Sequence, residues 1–398
     1  MLINKKTRAF ATCLLIVQLI LLFCGCDVGA SDELPSDFSG QSEGLYIGGS
    51  SAVLEVPDEG MYYYSQLNDV QKAIYSASLT ALESESHVFE LVGIDCTEYA
   101  GECKRAIEAL LRDHPEFFWL DGGYQVKSMT MGSDSYGSIE ITLKLHSYWE
   151  NRDFISAKEK VESVVDSIVD QADDFDNDFD KVLFVNDWIV GNLDYDFESY
   201  TYPDKMDEED YAFVNTIYGA LVERRTLCGG YAYTFSYILN RLGVETVYVT
   251  GTALGELHAW NVVRIGDEFY HFDVTWSDDN GSGSSRYSYF ALDDEEMSLT
   301  HKVDTVFEYP YARGTEYNYF RYKGLYLDYY SFNKFNSLFA AHSFDVEFSV
   351  KFSNEVVLRA AVKDIIENAK FYKLSNIDNT NSFSYKVDEI HGILTLYP

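Results

Sequence analysis

Thr226-Leu227-Cys228-Gly229-Gly230-Tyr231-Ala232 is the stretch on which the reading of this chain turns. Downstream of its thiol come His258-Ala259-Trp260-Asn261 and Asp273-Val274-Thr275-Trp276, which supply an imidazole and then a carboxylate. A thiol, a base and a group to orient the base, each on its own element, is the set that nucleophilic acyl chemistry requires. After Cys228, the residues Ala232, Phe235, Ile238, Leu239 and Leu242 fall at the spacing of a buried helix, with Gly243 suited to its C-cap position. Gly229-Gly230 permits a tight backbone approach just before that helix. Cys228 then lies at a helix N-terminus, where the macrodipole and the N–H groups favour thiolate. The same placement lets the Cys228 backbone N–H serve as an oxyanion donor.

Working outward, Val244 to Thr250 alternates as a strand, and His258 to Ile265 and Glu268 to Trp276 read as two more, joined by Gly266-Asp267. A two-residue hairpin loop fixes the antiparallel register. Pairing Ile265 with Glu268 sets His258 opposite Thr275 and Trp260 opposite Asp273. His258 and Asp273 become diagonal neighbours on one face, with Cα atoms roughly 7–8 Å apart, within reach of an imidazole–carboxylate hydrogen bond. A three-residue loop would send the two side chains to opposite faces, so the pairing rests on the turn. His271 shares that face and competes for the role of base, but reads as a core histidine. Trp260 and Trp276 are candidates for cleft walls, although aromatic residues in a hairpin ordinarily pack.

The passage from about Lys181 to Asp279 resembles the transglutaminase-like superfamily, in the bacterial branch near the kyphoscoliosis-peptidase-type domains. The resemblance rests on Cys228-Gly229-Gly230-Tyr231-Ala232 with Leu239 and Leu242-Gly243, on His258-Ala259-Trp260-Asn261, and on Phe269-Tyr270-His271-Phe272-Asp273-Val274-Thr275-Trp276. It covers roughly a quarter of the chain, and the three motifs in order are specific where one alone is not. It implies a papain-like α+β core, a helix with an N-terminal cysteine packed on an antiparallel sheet, and a Cys228–His258–Asp273 triad; no cofactor or metal is expected. His271 stands where an aliphatic residue is more usual. For the upstream oxyanion residue, Trp188, Asn192 and Tyr195 are the candidates.

The chain has 398 residues and a hydrophobic fraction of 46%, enough for two or three domains with ordinary cores. With 65 acidic against 30 basic residues, a formal net charge of -35 repels phosphate backbones and argues against nucleic acid as a partner. Abundant Tyr (32) and Phe (26) beside 6 Pro favour aromatic-rich sheets over proline-rich linkers.

At the N-terminus, Lys5, Lys6 and Arg8 precede the apolar run Cys13 to Phe23, the charged and hydrophobic regions of an export signal. The run ends in Phe23-Cys24-Gly25-Cys26, which resembles a bacterial lipobox with Cys26 as the lipidated residue. Phe23 and Cys24 depart from its usual residues, and a retained transmembrane anchor is the alternative, on an apolar run short for a span. The expected protein is therefore a membrane-anchored, extracytoplasmic lipoprotein. Of the six cysteines, Cys13, Cys24 and Cys26 belong to this signal. Cys96 and Cys103, seven apart, share a helix face or form a local bridge, and Cys228 is the odd thiol.

The expected organisation is a signal over 1–26, a tether over 27–44 and an α+β domain over 45–150. A catalytic domain over 151–310 and a second small α+β domain over 311–398 follow. Within the first domain, Leu67, Val70, Ile74, Leu79 and Leu82 mark one helix and about Glu98 to Arg112 a second, stopped by His114-Pro115. Strands are expected at Tyr124 to Met129 and Ser138 to Leu145. Helices follow over 153–172 and Asp180 to Leu193. Between them, Asp173 to Asp180 alternates carboxylates like a calcium loop, but Phe179 and Val185 stand where the glycine and glutamate would fall if Asp174 is first. It reads as a solvated acidic turn with helix N-caps, and Asp278-Asp279-Asn280-Gly281 reads as a turn. In the last domain, Phe344 to Val350 alternates and Glu355 to Ala369 is helical.

Three functions fit. A peptidase or amidase acting on peptides or cell-wall peptides is the first. A protein-glutamine crosslinking transglutaminase shares the acyl-enzyme and differs in whether an amine or water resolves it. A non-catalytic surface-binding or envelope-assembly module is the third, motivated by flanking domains that make up more than half of the chain.

Overall fold

The computed structural model describes residues 46–47, 61–130, 135–278, 286–342, 347–375, 377 and 384–397. The export signal with Cys26, the tether, and Asp279-Asn280-Gly281 lie outside them. Helices and strands mix as expected of an α+β protein. Two compact units divide the chain. The first takes the described residues up to Asp166 with Asp196–Thr234 and Thr305–Glu308; the second takes Ser167–Tyr195, Phe235–Asp304 and the described residues from Tyr309 onward.

The first unit holds a four-stranded sheet in the order Tyr46–Ile47, Val88–Asp95, Tyr136–Leu145, Leu120–Thr130, each neighbour antiparallel. Helix Asp69–Glu83 starts at a reciprocal capping box between Asn68 and Gln71, and Ile74, Tyr75, Ala77 and Leu82 are its buried stripe. Helix Cys96–Asp113 is capped by Asp95, which accepts from the Thr97 and Glu98 amides, and it ends ahead of Pro115 as expected. Cys96 and Cys103 are both buried on this helix, and neither is in a disulfide. The local bridge is therefore corrected to the shared helix face: Cys96 Sγ donates to the Ser138 carbonyl and Cys103 Sγ to the Tyr99 carbonyl.

In the second unit, five strands follow the order Phe290–Leu292, Glu268–Phe272, Glu256–Ile265, Thr246–Ala253, His301–Val303, all antiparallel. The hairpin register is the expected one, Ile265 opposite Glu268 through Asn261 opposite Phe272. Gly266 makes it possible with φ 63°, as the first central residue of a two-residue turn whose second central residue has an ordinary negative φ. The third strand is shorter than expected. It stops at Phe272, and Val274–Ser277 is a single helical turn capped by Asp273, whose Oδ1 accepts from the Trp276 amide. Thr275 is therefore not a strand residue opposite His258. Alternation alone does not distinguish a strand from a turn that an aspartate cap initiates.

The acidic segment before helix Asp178–Asn192 is exposed, and Asn177 accepts from the Asp180 amide as its N-cap. The chain closes with a four-stranded sheet ordered Tyr326–Leu327, Phe348–Phe352, Ile393–Tyr397, Ser384–Asp388. Its core joins Phe335, Phe339, Phe348, Leu358, Ile365 and Leu394. Among the described residues, no helix is long and apolar enough to cross a membrane.

Candidate functional site

Cys228 is the first residue of helix Cys228–Arg241 and is half-buried. Gly229 and Gly230 lie inside the first helical turn, not before it. A Cβ on Gly230 would meet Thr226 Oγ1 at 1.9 Å and the Thr216 carbonyl oxygen at 2.9 Å, so only glycine lets the two segments pass. The Gly229 amide donates to Asn215 Oδ1 at 3.2 Å, which gives the helix start a partner from a distant loop. Thr226 Oγ1 donates to the Val214 carbonyl at 2.9 Å and holds the preceding residues. The helix ends at Gly243, φ 76°, with the Val244 amide returning to the Leu239 carbonyl.

The second unit brings His258 and Asp273 together. His258 Nε2 lies 2.8 Å from Asp273 Oδ2, with Asp273 fully buried and the His258 side chain 8% exposed. Trp260 and Trp276 flank the imidazole, with ring centroids 6.2 Å and 5.5 Å away. Trp260 is buried and Trp276 half-buried. A carboxylate only accepts, so the neutral imidazole carries its proton on Nε2, and Nδ1 is the nitrogen that can take a proton.

A residue absent from the sequence reading completes this cluster. His301 Nε2 lies 3.1 Å from the same Oδ2, so two imidazoles converge on one carboxylate oxygen. Burial alone would push the Asp273 carboxyl upward; His258 and His301 outweigh it and hold the group well below the usual carboxylate range. Burial lowers His301 below the ordinary histidine value, against the pull of Asp273, so this imidazole is neutral at neutral pH. Among the described residues, His258, Asp273 and His301 form the group whose donor atoms lie close enough together for a metal ion, within 4.8 Å of one another. In the tautomers that donate to Oδ2, both Nε2 atoms carry protons.

His271 lies in a separate network. Trp260 Nε1–H donates to His271 Nδ1 at 3.1 Å, which fixes the His271 proton on Nε2, 3.0 Å from Asp294 Oδ1. Both ring nitrogens are therefore engaged, and the residue is buried. Of the three oxyanion candidates, Trp188 and Asn192 end helix Asp178–Asn192 and Tyr195 follows it. Asn192 is exposed and its side-chain amide donates to the Trp188 carbonyl at 2.8 Å, a local helix-end bond; Trp188 and Tyr195 are half-buried.

His301 gave little warning in sequence. It stands in a three-residue edge strand after Met297-Ser298-Leu299-Thr300, with no alternation and no motif around it. Asp294 was likewise invisible as the partner of His271, since it opens a four-residue helix.

Residues 166–274 match the family model described as Transglutaminase-like superfamily. No curated protein matches. Among solved structures, one described as a TGase is 15% identical, covering 38% of this chain and 50% of its own, with a TM-score of 0.28. A structure named as a putative cysteine protease from Cytophaga hutchinsonii is 16% identical over 38% of this chain and 61% of its own, TM-score 0.24. Another, named as a putative protease from Parabacteroides distasonis, is 11% identical over 37% and 38%, TM-score 0.22. The chain thus spans between about two fifths and three fifths of the length of these proteins.

Proposed function

We propose that this protein is an exported cysteine acyl-transfer enzyme that hydrolyses amide bonds in peptides or cell-wall peptides, held at the membrane by a lipid on Cys26. The observation that carries the reading is the hydrogen bond from His258 Nε2 to a fully buried, ionised Asp273. An imidazole held in this way has a fixed tautomer and a defined orientation, which is what a general base needs. The half-buried Cys228 at a helix start supports the choice of nucleophile.

In the proposed reaction the Cys228 sulfur attacks the substrate carbonyl carbon while His258 Nδ1 takes the thiol proton. The resulting oxyanion collapses, the C–N bond breaks, and the amine leaves with that proton from His258. Water then attacks the thioester, giving its proton to His258. The C–S bond breaks, releasing the carboxylic acid, and the thiol is restored. Asp273 remains a carboxylate throughout and stabilises the imidazolium that forms transiently.

The test incubates the full chain and Cys228→Ala with a peptide library and with peptidoglycan fragments, followed by mass spectrometry with hydroxylamine present to trap the thioester. Release of new amino termini with a hydroxamate on the acyl fragment, both lost in Cys228→Ala, is expected. Product formation that survives in Cys228→Ala, or none from any substrate, overturns the reading. Incorporation of a labelled amine into casein in place of hydrolysis would make the enzyme a crosslinking transglutaminase.

A further inference from the structure

Asp273 needs only one imidazole to orient a catalytic histidine, yet it receives two. His301 lies on the edge strand His301–Val303, paired through Ala253 with the strand that separates it from Glu256–Ile265. Its side chain is 1% exposed. Its Nδ1 is 2.8 Å from the Thr300 hydroxyl, and its ring packs edge-on against Trp276 and Trp260, with centroids 4.8 Å and 5.0 Å away. Between the two histidine-bearing strands stands Gly251, opposite His258. A Cβ there would meet the Lys302 carbonyl oxygen at 2.1 Å and the Trp260 ring at 2.9 Å, so the bare backbone lets the edge strand and Trp260 both approach.

The proton positions follow from the acceptors. Oδ1 of Asp273 takes the Trp276 amide, and Oδ2 takes both Nε2 atoms. With His301 neutral, Nε2 carries its proton and Nδ1 accepts from the Thr300 hydroxyl. The charge of one buried oxygen is thereby divided between His258 and a second donor that is tied down on its far side.

We propose that His301 is a positioning residue of the acyl-transfer site: its Nε2–H fixes the rotation of the Asp273 carboxylate and draws off part of its charge, which sets how strongly Asp273 holds a proton on His258. The proposal rests on the reading of His258 as the base. An undivided carboxylate would hold imidazolium more tightly and make His258 slower to return its proton to a leaving amine. The titratable groups that surround His301 are Asp273, His258, Tyr289 and His271. Burial raises the Tyr289 phenol, so it stays neutral over the range in which His258 titrates.

The test labels histidine with nitrogen-15 in the full chain carrying Cys228→Ala, so that the thiol does not influence the titration, and compares His301→Gln and His301→Phe. In the parent, His301 is expected as the Nε2–H tautomer. His301→Gln keeps an N–H donor and should leave the His258 titration nearly in place. His301→Phe keeps the packing, removes the donor, and should raise the proton affinity of His258 about tenfold, one pKa unit. A His301 found as the Nδ1–H tautomer overturns the proposal, as does a folded His301→Phe with unchanged His258 titration. The tautomer is read in a protein with the native residue at 301, so a misfolded His301→Phe does not remove the test. An ordinary, unreactive Cys228 in the chain that retains this cysteine would defeat the acyl-transfer reading without moving either nitrogen-15 result.

Discussion

Asp273→Asn isolates the charge of the buried carboxylate from its shape. Asparagine keeps an oxygen for the Trp276 amide, so the cap of the turn Val274–Ser277 survives. The other position becomes an NH2 group facing His258 Nε2 and His301 Nε2, which were 2.8 Å and 3.1 Å from an acceptor. Two hydrogen bonds to a charged group disappear, each worth about 1.5–3 kcal/mol. At least one imidazole recovers part of that by moving its proton to Nδ1. Breaking a buried charge pair by removing one partner costs about 3–5 kcal/mol, and the two estimates overlap at about 3–5 kcal/mol for this substitution. Urea unfolding followed by tryptophan fluorescence is the assay, because Trp260 and Trp276 flank the cluster and report on it. A loss below about 1 kcal/mol, the size of a surface change, would refute the reasoning that Asp273 is ionised and doubly engaged.

Gly230→Ala forces a methyl onto Thr226 Oγ1 and the Thr216 carbonyl and should cost at least the 1–3 kcal/mol typical of overpacking, about that or more, read as a fall in melting temperature. Asn215→Ala removes the acceptor of the Gly229 amide at the start of the Cys228 helix; a loss of about 1 kcal/mol is expected in the same melt, and none would mean that water replaces it without cost. The Asp273 carboxyl is held low in the folded chain, so its stabilisation is complete above the unfolded value of about 4 and drains as pH falls through that value towards the folded one. His301 is also held low, so its share is complete above about pH 6.5 and declines below it as the unfolded chain takes up the proton first. Melts should therefore weaken as pH falls below about 6.5 and again below about pH 4, and His301→Gln should shrink the first step without abolishing it, because burial also pushes His146 down to about 4; a first step unchanged in His301→Gln would assign it to His146 alone.

Sequence carried the elements whose signal is local. The buried stripe after Cys228 gave its helix, and Gly266-Asp267 gave the hairpin register from Ile265 and Glu268 to Asn261 and Phe272. That register placed His258 beside Asp273, a contact between residues fifteen apart that two turn residues determine. Where a side chain overrides the pattern, the reading failed. Asp273 belongs to an apolar alternation, yet its carboxylate caps the next turn and ends the strand. Val88–Asp95 is hard to read from sequence because it runs directly into a helix whose cap, Asp95, is its own last residue. His301 reaches Asp273 only because an edge strand pairs with Thr246–Ala253, a long-range pairing that no periodicity in its three residues records.

Whether His258 activates Cys228, as proposed, is read from the rate of Cys228 alkylation by iodoacetamide as a function of pH, in the full chain and in His258→Ala. Peptide mapping by mass spectrometry separates Cys228 from the other cysteines, of which Cys96 and Cys103 are buried. A thiol that reacts well below the ordinary cysteine value of about 8.5 and loses that reactivity in His258→Ala is expected. A profile centred near about 8.5 and identical in the two proteins would contradict it.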